Sequence, residues 1–153
     1  MRCTYLPALL AVPCLVSLSL AEDSPPNFSG TWQLDTTNSQ TEGQAVTLTI
    51  QDDSGKIDFK RVSRDKDGKE ITAHFSCKTG AQCDFEEGGQ KAKVTLWFNG
   101  GALAILKTDG PKEDAVTQWK LELSPDKHTL KVECTHIDPS ANTANLVFRK
   151  KST

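Results

Sequence analysis

Hydrophobic and polar residues alternate along most of this chain with a period of two, the spacing that sends successive side chains to opposite faces of a β-strand. Val46, Leu48 and Ile50 interleave with Thr47 and Thr49. The same alternation returns at Ile57 and Phe59, at Ile71, Ala73, Phe75 and Cys77, and at Val94, Leu96 and Phe98. It continues through Leu103 and Ile105, Trp119, Leu121 and Leu123, Leu130, Val132 and Cys134, and Ala144, Leu146 and Phe148. An opening strand is expected over residues 28–35, with Trp32 and Leu34 on one face, and a short one around residues 84–86.

Turn chemistry separates these runs. Asp52-Asp53-Ser54-Gly55, Arg64-Asp65-Lys66-Asp67-Gly68, Gly88-Gly89, Ser124-Pro125-Asp126-Lys127 and Asp138-Pro139-Ser140 all carry residues that favour tight reversal. Asn99-Gly100 is the strongest hairpin signal of the set. Residues 36–44 show no apolar period and read as a loop. Gly110-Pro111 followed by Glu113 and Asp114 would suit a helix start, but the strict alternation around Trp119 outweighs it. Eight to ten short strands joined by tight turns predict an all-β domain, either a sandwich or an up-and-down barrel. A meander of consecutive hairpins favours the single antiparallel barrel, because closure leaves no exposed edge.

Composition narrows the class without changing it. The 153 residues fit one domain, and 25% charged with 37% hydrophobic residues is ordinary for a globular chain. A formal net charge of -2 offers no basic surface for nucleic acid. Residues 1–21 read as a signal peptide, with Arg2 as the charged start, an apolar run from Leu6 to Leu20 and Ser19-Leu20-Ala21 as the cleavage site. Pro7 and Pro13 interrupt that run, so no membrane span is expected after cleavage. Residues 22–27 form a polar, flexible entry segment, and the barrel domain covers 28–153. Export, to a periplasm or outside the cell, is the expected localisation.

Cys3 and Cys14 would leave with the leader, so Cys77, Cys83 and Cys134 remain. Export exposes cysteines to oxidising conditions. Cys77 and Cys83 bracket a short tip, which suits a disulfide contributing roughly 2–3 kcal/mol on the loop-entropy model. Cys134 is then an inward-facing thiol.

Gly30-Thr31-Trp32-Gln33-Leu34 resembles the Gly-x-Trp opening of lipocalins and fatty-acid-binding proteins, the calycin group. More particularly, it looks like the start of small secreted bacterial lipocalin-like proteins. Asn99-Gly100-Gly101, Lys131-Val132-Glu133-Cys134 and Leu146-Val147-Phe148-Arg149 extend the likeness loosely over the C-terminal half. The resemblance implies that Gly30 and Trp32 are structural, with Trp32 plugging the closed end beneath a basic residue of the last strand. Arg149 is the first candidate for that cation and Lys150 the substitute, since Arg149 falls on the opposite parity to Phe148. Such a stack is worth roughly 0.5–2 kcal/mol. Two departures limit the implied function. The loop over 36–44 is too short for the helical lid of fatty-acid-binding proteins. The positions of their arginine and tyrosine carboxylate clamp are Leu146 and Phe148, and the lone tyrosine, Tyr5, lies in the leader.

Barrels of about eight strands either fill with side chains or hold one small ligand. Phe59, Phe75, Phe98 and Trp119 would line the interior, and Arg61, Thr117 and His136 share their parity. The ligand-binding candidates are therefore Arg61, Trp119, His136, Phe59, Phe75 and Phe98, with Arg61 better suited to water at the barrel mouth. Asp65, Asp67, Glu86 and Glu87 fall in turn-like segments and read as solvated charge. No catalytic motif, phosphate loop or compact pairing of metal ligands occurs, so no enzyme activity, cofactor or metal is expected. Cys134 with His136, or His74 with Cys77 and Cys83, would be the residues for zinc or copper. Two functions are expected: a binding barrel for a small apolar or amphipathic molecule, or a filled barrel that engages an envelope or secreted protein. Trp97 has outward parity and would anchor the second.

Overall fold

The computed structural model describes residues 24–41, 44–108, 116–137 and 141–152. The expected leader, the alternative helix start at Gly110-Pro111 and the turn at Asp138-Pro139-Ser140 lie outside them. Ten strands follow one another: β1 (Gly30–Leu34), β2 (Thr47–Asp53), β3 (Lys56–Arg64), β4 (Glu70–Lys78) and β5 (Gln82–Glu87), then β6 (Gln90–Asn99), β7 (Ala102–Thr108), β8 (Val116–Leu123), β9 (Thr129–His136) and β10 (Asn142–Lys150). Each pairs antiparallel with its sequence neighbours, and β1 closes the ring by pairing with both β2 and β10. The up-and-down barrel expected from the alternation is the observed fold. No helix among the described residues is long and apolar enough to cross a membrane.

The turns follow from local chemistry. Ser54 and Gly55 both take positive φ, 51° and 89°, the conformation that lets two residues reverse a hairpin with the strands' own twist. At the Asn-Gly signal the strands end one residue later than the dipeptide suggests. Asn99 still pairs with Ala102, and Gly100-Gly101 make the bend. β1 is shorter than the expected 28–35, because Phe28 precedes the ladder as a plug.

One end of the barrel is sealed. Phe28 and Trp32 are both fully buried, and the Trp32 indole N–H donates to the Phe28 carbonyl oxygen at 3.2 Å. The Phe28 ring stacks on Phe98 with centroids 6.3 Å apart. Ser29 fastens the segment to the β2–β3 hairpin, its hydroxyl accepting from the Asp52 N–H at 2.9 Å. Ile50, Ile57, Leu96, Leu103 and Leu130 fill the space around them.

The cation over the Trp32 ring is Lys150, with Nζ 5.3 Å from its centroid, and not Arg149. Period two decides this. Lys150 pairs directly with Trp32 and shares its face, whereas Arg149 points outward to Asp35 and Thr129. Gly30 makes room for the lysine. A Cβ there would stand 2.8 Å from Lys150 Cε, and φ is +153°.

Cys77 and Cys83 form the expected disulfide, and Cys134 is a free thiol. The bond has a clear place in the fold. Backbone pairing of β4 with β5 stops at Phe75–Phe85, and the disulfide fastens the hairpin beyond that point.

Candidate functional site

The half of the barrel away from the plug is hollow. A cavity of about 260 Å³ lies between the strands, reaching Gln44, Val46 and Ser63 at the end opposite Phe28. Phe59, Ile105, Trp119, Leu121, Leu146 and Phe148 give it apolar walls. An engineered apolar cavity of roughly 150 Å³ already admits benzene, so this space is large enough for a small molecule. The connection from β1 to β2 is built from turns and bends in its described part and adds no helical lid.

Arg61, which lines this space, belongs to a polar cluster within the wall. Arg61, Ala73 and Glu87 stand in a row across β3, β4 and β5, as direct cross-strand neighbours. The middle residue carries only a methyl group. The Arg61 and Glu87 side chains therefore meet across two strand spacings, roughly 9–10 Å, and the guanidinium NH2 donates to Glu87 Oε1. Glu87 Oε2 accepts from Lys107 Nζ at 3.4 Å. Arg61, Glu87 and Lys107 keep only 27%, 27% and 14% of their side-chain surface exposed, so the ion pairs are shielded from water. Arg61 Nε is buried with no hydrogen-bond partner among the described residues.

An aromatic array backs the cluster. Phe59 stacks on Phe75 at 5.0 Å with an interplanar angle of 10°, Phe75 meets Phe85 at 6.3 Å, and Phe85 meets Trp119 at 6.1 Å. Lys107 Nζ also lies 5.2 Å from the Phe85 centroid, within cation–π range. Burial pushes the Cys134 thiol above its ordinary pKa, against the opposing pull of the neighbouring Trp119 and of the Arg61 and Lys107 charges. Cys134 itself is not part of the cavity lining.

The six candidates from the alternation separate in space. Arg61, Phe59 and Trp119 line the cavity. Phe75 points inward but sits behind Phe59 and Phe85, outside the lining. Phe98 belongs to the plug, because its strand position lies at the sealed end beside Phe28. His136 is exposed at the rim, with Nδ1 3.0 Å from the hydroxyl of buried Thr117, and does not reach the cavity. Glu87 and Lys107 were not visible as interior groups in a reading of the turns. Strand parity carried the signal, since Glu87 shares a face with Cys83 and Phe85. Among the described residues no group of three or more His, Cys, Asp or Glu is placed to hold a metal ion. Cys77 and Cys83 are consumed by their bond.

Neither a protein-family model nor a curated protein sequence matches the chain. Solved structures do. The fatty acid binding protein of Schistosoma mansoni, in complex with arachidonic acid, superposes with a TM-score of 0.62 at 21% identity, covering 82% of this chain and 96% of its own. Lipid binding protein 8 of Caenorhabditis elegans gives 0.62 at 13%, covering 81% and 95%. A secretory abundant heat soluble protein of Ramazzottius varieornatus gives 0.64 at 11%, covering 84% and 98%. At such identities the likeness is one of architecture: this chain has the fold of the fatty-acid-binding and lipocalin-like calycin barrels.

Proposed function

We propose that this protein is a non-enzymatic binding barrel for a small apolar or amphipathic molecule, acting after export from the cell that makes it. The observation that carries the reading is the hollow half: a mostly apolar cavity of about 260 Å³ with Arg61 on its wall. That is the usual design of a small-molecule site, mostly apolar with a few oriented polar groups. Structural relatives whose names describe lipid and fatty-acid binding support the same class. The ligand would lie against Phe59, Trp119 and Leu146, with its polar end at Arg61. The leader pattern supports export, as does the Cys77–Cys83 bond, which persists in oxidising compartments.

Titration of wild-type protein with apolar fluorescent probes tests the reading. Saturable one-site binding, abolished by Leu146→Phe, is the expected result. No saturable binding by any probe would overturn it. A second reading rests on Trp97, which stands 38% exposed on the outer face of β6 and suits a protein interface. Co-purification from the exporting organism, compared for wild type and Trp97→Ala, tests that reading: a partner lost with the substitution supports it, and an unchanged set of partners contradicts it.

A further inference from the structure

We infer that Glu87 sets the ligand class of this cavity, holding the Arg61 guanidinium so that the site takes a neutral molecule with a hydrogen-bond acceptor in preference to a carboxylate. The inference rests on the binding role proposed above and adds the selectivity of the site.

Arg61 is the cavity-lining cation, and an arginine on an apolar wall would ordinarily mark the seat of an anionic head group. Here the seat is taken. Glu87 reaches across Ala73 and accepts from the guanidinium NH2, while its second oxygen accepts from Lys107 at 3.4 Å. A ligand carboxylate entering at Arg61 would meet the Glu87 charge at short range, in a setting where only about a quarter of either side chain faces water. It would have to displace Glu87 or be protonated.

A guanidinium carries five N–H donors, and Glu87 takes one of them on NH2. Nε is sealed within the wall, so the donors left for a ligand are terminal N–H groups of the cavity-lining Arg61. A carbonyl, ether or hydroxyl oxygen supplies one lone pair without adding charge. The rest of the wall near Arg61 is Phe59, Phe85 and Trp119, which accommodates a hydrocarbon body. Ala73 is integral to the arrangement, because a larger side chain there would stand between Arg61 and Glu87.

The test compares decane, decanol, methyl nonyl ketone and decanoate in competition with a bound fluorescent probe. Four proteins are compared: wild type, Glu87→Gln, Arg61→Met and the double variant. Wild type is expected to bind the alcohol and ketone more tightly than decanoate. In Glu87→Gln the order reverses, with decanoate gaining about tenfold, the scale of one charge-assisted hydrogen bond. The double variant, which removes the Arg61–Glu87 pair together, is expected to bind alcohol no better than decane. Decanoate preferred by wild type and unchanged by Glu87→Gln would overturn the inference while leaving the binding role intact. Failure of every compound and of the probe to bind wild type would instead remove the binding role itself. Circular dichroism of each variant separates loss of selectivity from loss of fold.

Discussion

The sealed end and the hollow half of this barrel are built from the same alternating strands, yet one is solid and the other is not. At the sealed end two large rings, Phe28 from just before the ladder and Trp32 from β1, are buried with Ile50, Leu96, Leu103 and Leu130. In the hollow half the inward positions include Ala73, Ser63 and Arg61, which leave space or demand it. Each half also keeps an inward cation, and the contrast is instructive. Lys150 spreads over an indole and has its Nζ near the barrel end, a structural use. Arg61 is clasped by an internal carboxylate and lines the free volume. Parity alone places both cations inward. The partner determines the role of each.

Substitutions at matched positions sharpen the contrast. The largest effect is expected from Trp32→Ala, which opens the plug and leaves the Phe28 carbonyl without its donor. A loss of about 3–5 kcal/mol in denaturant unfolding is predicted. Next come two leucines on neighbouring strands. Leu130→Ala, in the solid end, is predicted to cost about 2–5 kcal/mol, whereas Leu146→Ala, already beside free volume, costs about 1 kcal/mol. Equal costs at the two sites would erase the distinction between the halves.

The disulfide fastens the hairpin where its ladder ends. Replacing Cys77 and Cys83 together with serine is predicted to lower stability by about 2 kcal/mol, read from the urea midpoint. Lys150→Met removes the cation from the plug and is predicted to cost only about 0.5–1 kcal/mol, because the ammonium is largely solvated. Arg149→Met should leave the plug unaffected.

The smallest effect concerns pH. Burial raises the Cys134 thiol above its usual value of 9.0, so the fold favours the protonated form. Its contribution is fully present below that value and is lost as pH rises through the folded pKa. The stability difference between wild type and Cys134→Ser should therefore be constant at neutral pH and move against wild type above about pH 9, in parallel urea titrations.

Much of this architecture was legible along the chain. Alternation at Val46 to Ile50, at Trp119 to Leu123 and at Leu130 to Cys134 fixes strands and inward faces, since a one-residue slip would turn each apolar set into water. The Gly-x-Trp opening marked the plug, and the cysteine spacing marked the hairpin bond. Which inward residues face free space was not legible. Phe59, Phe75 and Phe98 have one parity and one chemistry, but their heights along the barrel differ, and height depends on register between distant strands. Glu87 was hidden for a related reason. Next to Gly88-Gly89 it looks like a solvated turn residue, and only the pairing of β4 with β5 brings it level with Ala73 and Arg61.

The central claim is that the hollow half accepts an apolar molecule while the sealed end does not. Crystals grown with bromodecanol test it directly, because bromine reports its own position by anomalous scattering. The account predicts one strong site within the cavity bounded by Phe59, Trp119 and Leu146, with the hydroxyl directed to Arg61. Bromine found only on the outer surface, around an interior closed by its own side chains, would contradict it.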